Sequence, residues 1–126
     1  MVKVLIFVES RYKVNRKRIK KTVEGSLSKE GISSDVEVSI AIVGDRKMRE
    51  LSRKYKGEDK TRNILSFSLS EGESAPAVAS VMRLGDIVIS YPEVIREASR
   101  DEILVDDRID ELVVHGLSHL LGIHHE

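Results

Sequence analysis

Residues 34–44, "SDVEVSIAIVG", read as a strand with one buried face: Val36, Val38, Ile40 and Ile42 alternate with Glu37, Ser39 and Ala41 at a period of two. A sheet made of such strands meets its core on one side and needs helices there. Upstream, residues 15–30 form a helical pattern whose apolar stripe is Ile19, Val23 and Leu27, ended by Gly31. Before that, Val2–Val8 is apolar and β-branched, as a buried strand would be. Downstream, Asp45 is placed to cap a helix carrying Met48, Leu51 and Tyr55. Two further strands, "NILSF" (63–67) and "LGDIVIS" (84–90), flank "SLSEGESAPAVAS" (68–80), whose small and polar residues predict a mobile connector. Ser90 and Glu93 have capping-box spacing, Pro92 suits a first turn, and the helix they open carries Val94, Ile95 and Ala98. The last helix is predicted to start near Asp106 or Asp107 and to bury Ile109, Leu112, Val113, Leu117, Leu120 and Leu121.

The order is strand, helix, strand, helix, two strands, two helices. It predicts an α+β fold with about four strands in one mixed sheet, covered mainly on one side. A chain of 126 residues suits a single domain spanning residues 1–126. With 40% hydrophobic and 33% charged residues the composition is that of a soluble globular protein and excludes a disordered or fibrous one. No apolar run reaches the roughly 18 residues of a membrane span, and the start "MVKVLIFVES" lacks a signal-peptide cleavage site. A cytoplasmic location and no membrane partner are expected. With no cysteine there is no disulfide partner, and any metal must be held by nitrogen and oxygen.

Zero net charge hides a division along the chain. Residues 1–62 hold 17 Lys+Arg against 9 Asp+Glu, and residues 63–126 hold 4 against 12. The densest basic stretch, "RYKVNRKRIKK" (11–21), is either a solvated helix face or a phosphate-binding surface.

All four histidines lie in the tail "VVHGLSHLLGIHHE" (113–126). His115 and His119 are four apart and so share a helix face. Gly122 can end that helix in a left-handed turn and bring His125 back toward the same point. Three neutral imidazoles leave a fourth coordination place open, as in a catalytic zinc site. The metal site is thus expected on the C-terminal helix and its following turn, with one Zn²⁺ ion, although imidazoles also suit other divalent transition metals. A closed structural site with His124 or Glu126 as fourth ligand is the competing reading. The spacing also matches that of metzincin proteases, but Gly116 stands where those enzymes carry their glutamate base, so a zinc peptidase is the lesser alternative.

"HGLSHLLGIHH" (115–125) resembles the H-G-x-L-H-L-x-G-Y-D-H signature of the YbeY family of rRNA maturation factors. "YKGEDKTRNILSF" (55–67) and "LGDIVIS" resemble two more of its segments in the same order. The resemblance implies a zincin-like, metal-dependent hydrolase domain with His115, His119 and His125 as zinc ligands. It further implies a single-strand-specific endoribonuclease that matures the 3′ end of small-subunit rRNA and serves ribosome quality control. Its partners would be precursor rRNA and the ribosome or small-subunit ribosomal proteins. Lys56 stands at the family's functional arginine, keeps its charge, and is the candidate for stabilising phosphate charge; Arg62 is a nearby substitute. Asn63 and Ser66 are candidates for lining the substrate cleft, with core and backbone support as the plainer reading. Asp86 is expected to be structural. His124 replaces the family's aspartate beside the third ligand, and metal binding is expected to order the tail. A non-catalytic RNA-binding assembly factor with a metal-secured C-terminus is the alternative function.

Overall fold

The computed structural model describes residues 1–9, 11–68 and 82–122. Four strands, β1 (Val2–Val8), β2 (Val36–Val43), β3 (Ile64–Ser68) and β4 (Met82–Ser90), alternate with four helices, α1 (Arg16–Lys29), α2 (Asp45–Lys56), α3 (Tyr91–Asp101) and α4 (Val105–Leu120). The sheet order is β1-β2-β4-β3; β1, β2 and β4 run parallel, and β3 is antiparallel to β4. This is the expected α+β arrangement with one mixed sheet. The connector at 69–81 lies outside the described residues.

The period-two pattern of β2 is realised as one-sided burial. Val36, Val38, Ile40 and Ile42 join Ile87 and Ile89 of β4 in the larger core, against Ile19, Val23 and Leu27 of α1 and Ile109, Leu112, Val113 and Leu117 of α4. Each such side chain, fully buried, is worth about 1.5–3 kcal/mol, so this layer carries most of the fold's cohesion. A smaller cluster of Val43, Met48, Leu65 and Val88 holds α2 on the opposite face. Because α2 covers only the β3–β4 end, Leu5 and Phe7 of β1 remain exposed. Coverage is thus mainly one-sided, as predicted.

Several local expectations change. Gly44, not Asp45, is the N-cap of α2; Asp45 is the first helical residue. Its carboxylate is taken by tertiary partners, accepting from Thr61 Oγ1 at 3.1 Å, Ser90 Oγ at 3.1 Å and Arg96 at 3.0 Å. Tyr55 is 53% exposed, its ring 4.8 Å from that of Phe67, and the buried positions of α2 are Met48 and Ser52. Ile95 is exposed, leaving Val94 and Ala98 as the buried face of α3, while Ser90 Oγ accepts from the Glu93 amide as its spacing predicts. Helix α4 starts at Val105 and has no side-chain cap, and Leu121 is only half-buried against the core.

The Asp45 contacts set a pH dependence. Partial burial pushes its carboxyl up, but hydrogen bonds from Arg96, Ser90 and Thr61 outweigh this and hold it below its ordinary value. A carboxyl depressed in the folded state adds stability above the unfolded pKa of roughly 4 and loses it as the pH falls through the folded value. We therefore expect the stability gap between wild type and Asp45→Asn to narrow on acidification below about pH 4. Melting temperatures of both proteins across that range test this; a gap constant with pH would remove Asp45 as its source.

The basic stretch at 11–21 is partly consumed by the fold. Arg16 donates to the Ile6 carbonyl at 2.9 Å, Arg18 pairs with Asp110 at 2.6 Å and with Asp107, and Tyr12 stacks on Tyr91 at 4.5 Å. Lys17, Lys20 and Lys21 stay exposed.

Candidate functional site

Helix α4 divides its faces sharply. Leu112, Val113, Gly116, Leu117 and Leu120 are buried on the sheet side, and His115 and His119 are exposed one turn apart, about 6 Å along the axis at 1.5 Å per residue. Gly116 is there for packing. A Cβ at that position would meet the Ile87 side chain at 3.0–3.1 Å, so a glutamate here would point into the core rather than toward a substrate. The helix ends as its sequence implies: Gly122 takes φ 72°, and its amide donates to the His119 carbonyl at 3.1 Å. Among the described residues, no three His, Asp or Glu side chains gather in metal-binding geometry. His124, His125 and Glu126 lie outside those residues.

Beside His115 a cleft of about 250 Å³ is lined by Asn63, Ile64, Arg108, Glu111, Leu112 and His115. Asn63 comes from the residue just before β3, whose Ile64 packs into the larger core. Alternation along the strand therefore sends Ser66 toward α4 as well, opposite Ile87 in the register.

A polar network shapes the cleft. Asn63 Nδ2 donates to Glu97 at 3.2 Å, Arg108 Nε donates to the same carboxylate at 2.8 Å, and Arg108 reaches Glu111 at 3.5 Å. An ionised carboxylate only accepts, so it is the nitrogen of the Asn63 amide that faces Glu97. One guanidinium faces two carboxylates, so the cleft has little positive charge to offer.

The structure thus brings His115 and Asn63 into one cleft and sets His119 a turn away. Among the described residues, Lys56 and Arg62 do not line it. Lys56 is the exposed last residue of α2, on the helix across the sheet. Arg62 donates to buried Ser52 Oγ at 3.2 Å and to Glu58 at 2.7 Å, tying the 57–63 segment to α2. Hydrogen bonds from Lys60 and Arg62 hold the Glu58 carboxyl below its usual range.

Glu97, Arg108 and Glu111 were missed from sequence. Glu111 had a signal, since it continues the four-residue ladder upward from His119 and His115; Glu97 and Arg108 meet only because α3 packs on α4.

The fold places the chain with a solved protein of the same architecture. TM1509 from Thermotoga maritima, determined in solution, superposes with a TM-score of 0.62 at 23% identity, over 100% of this chain and 75% of that one. Residues 6–126 match the sequence model of the family described as Endoribonuclease YbeY. Proteins named Endoribonuclease YbeY are similar at 44% identity over 90 residues in Syntrophus aciditrophicus (71% of this chain, 55% of that protein). In Desulforamulus reducens the identity is 40% over 110 residues (86% and 72%), and in Acinetobacter baumannii 33% over 120 residues (95% and 76%). This chain belongs to the endoribonuclease YbeY family. It spans about half the length of several relatives, from 38% in Azoarcus to 55% in Syntrophus.

Proposed function

We propose that this chain is a metal-dependent endoribonuclease of a single zincin-like hydrolase domain, cutting single-stranded RNA. Its role is read as 3′-end maturation of small-subunit rRNA and ribosome quality control, in the cytoplasm, with precursor rRNA and small-subunit ribosomal proteins as partners. The carrying observation is the pair of exposed imidazoles, His115 and His119, on one face of α4 beside the cleft that holds Asn63. No helix among the described residues is long and apolar enough to cross a membrane.

The donor set fits a divalent cation: two exposed imidazoles one turn apart, and a left-handed glycine that turns the backbone after them. His115, His119 and His125 would hold one zinc ion, which when bound lowers the pKa of water to about 7 and polarises an oxygen it touches. Glu111, on the wall of the same cleft, is the carboxylate that can take a proton from the attacking water. Asn63, fixed by Glu97, presents its amide oxygen to a donor on a nucleotide, and Ser66 adds a hydroxyl on the same sheet face. Lys56 enters no ion pair among the described residues and is free to meet phosphate charge; Arg62 would have to leave Glu58 and Ser52 first.

A second reading, a non-catalytic RNA-binding assembly factor, is favoured by one observation: the cleft's guanidinium is committed to Glu97 and Glu111. Metal analysis of tag-free protein, paired with cleavage of single-stranded RNA before and after chelation, separates the two. The enzyme reading expects one zinc per chain, and cleavage that a chelator removes and added zinc restores. Metal-replete protein that binds RNA without turnover would leave the assembly factor in its place.

A further inference from the structure

The RNA backbone has to be gripped somewhere, and the cleft's own arginine is neutralised. The uncommitted cations nearest in the chain lie on α2. At 100° per residue, Arg46, Arg49 and Arg53 fall within an arc of roughly 60° and extend over roughly 10 Å of helix. All three are exposed, and they line a concave surface of about 610 Å³ together with Asp45 and Glu50. The two acids do not cancel them: Asp45 is held by Arg96, Ser90 and Thr61, and Glu50 sits 3.8 Å from Lys47. Among the described residues Arg46 and Arg49 enter no ion pair, and Arg53 has only an exposed contact to Asp59 at 3.2 Å. An exposed pair of that kind is readily exchanged for a phosphate, which a guanidinium can grip in two places.

We infer that Arg46, Arg49 and Arg53 form a phosphate track for single-stranded RNA on the sheet face opposite the histidine helix. This rests on the reading of the chain as an RNA-cutting enzyme and adds to it a second contact surface. The track holds the strand's backbone without reading its bases, and α2 ends at Lys56, seven residues before Asn63 of the cleft. An extended strand held along α2 is in this way handed toward the cleft around the β3 edge of the sheet.

The test is a salt titration of binding between roughly 50 and 200 mM salt, with a short unstructured RNA and a chelator present so that nothing is cut. The triple variant Arg46→Gln, Arg49→Gln, Arg53→Gln keeps the aliphatic stems and helix propensity. Each lost phosphate contact flattens the slope of log affinity against log salt by about 0.7 for a single strand; three should flatten it by about 2. A control triple on α1, Lys17→Gln, Lys20→Gln, Lys21→Gln, removes the same charge from the other side and should change the slope by less than half as much. If the two triples behave alike, or the α2 triple binds like wild type, the track is overturned and general attraction accounts for binding. Wild type that binds no RNA overturns both the track and the RNA reading, whereas wild type that shows the α2-specific slope here but fails to cut the same RNA when zinc-replete and free of chelator bears out the track and overturns only the enzyme reading.

Discussion

His115→Ala is expected to lower zinc affinity and RNA cleavage by more than about a hundredfold, because loss of a mere supporting partner of a metal ligand already costs 10–100-fold. The side chain lies on the exposed face of α4, while the neighbouring Leu112 and Gly116 carry the packing. The metal-free variant should therefore melt within a degree or two of metal-free wild type, a small change by the usual relation of stability to melting temperature. His119→Ala should behave in the same way, since the two imidazoles act as a pair. Val114→Ala, at an exposed position on the same helix turn, should leave both zinc content and cleavage intact. A folded His115→Ala protein that still binds zinc and cuts RNA at the wild-type rate would place the chemistry elsewhere.

The largest effect on stability is expected at Gly85. It sits where the β2–β4 register shifts, with φ 143°, a value side chains rarely adopt. A Cβ there would lie 2.0 Å from the Phe67 carbonyl oxygen on the paired strand and 3.0 Å from a Leu120 methyl. Backbone is the obstacle, so no rotamer change relieves the clash. Strained backbone alone costs about 1–3 kcal/mol, and displacing β3 adds to that. Gly85→Ala should therefore lose more than about 3 kcal/mol, a large share of the 5–15 kcal/mol typical of a domain. Urea unfolding reads this as a lower midpoint at unchanged slope. Because β3 follows Asn63 and carries Ser66, RNA cleavage should fall together with stability. A loss below about 1 kcal/mol would mean that β3 and β4 can separate here at little cost.

Sequence reasoning succeeded where one-sided burial imposes a period. The alternation in β2 and the Ile19, Val23, Leu27 stripe of α1 are direct images of a sheet and a helix sharing one core, and Ser90 caps its helix through a local bond. It failed where a distant group outbid a local rule. Asp45 looks like a cap, but three tertiary donors take its carboxylate and glycine takes the cap position. Tyr55 and Ile95 fit helical stripes, yet α2 reaches only part of its sheet face and leaves Tyr55 exposed, and α3 buries only Val94 and Ala98, which leaves Ile95 outside the core. The His115 and His119 ladder was legible because both lie on one helix. The Asn63, Glu97, Arg108 network was not, because its members come from the entrance to β3, from α3 and from α4, and no spacing in the chain encodes their meeting.

The strand order also fixes how the molecule can be assembled as it is made. β2 lies between β1 and β4, and β4 is the last strand in the chain. Chains grow at roughly 5–20 residues per second, so for several seconds the β1–α1–β2 portion exists with the valine and isoleucine row of β2 lacking a neighbour along one edge. That unfinished half is also the strongly cationic one. Completion waits for translation of Met82–Ser90, so a chain cut short before that strand keeps the second edge of β2 unpaired and lacks the central strand on which β3 and α4 pack.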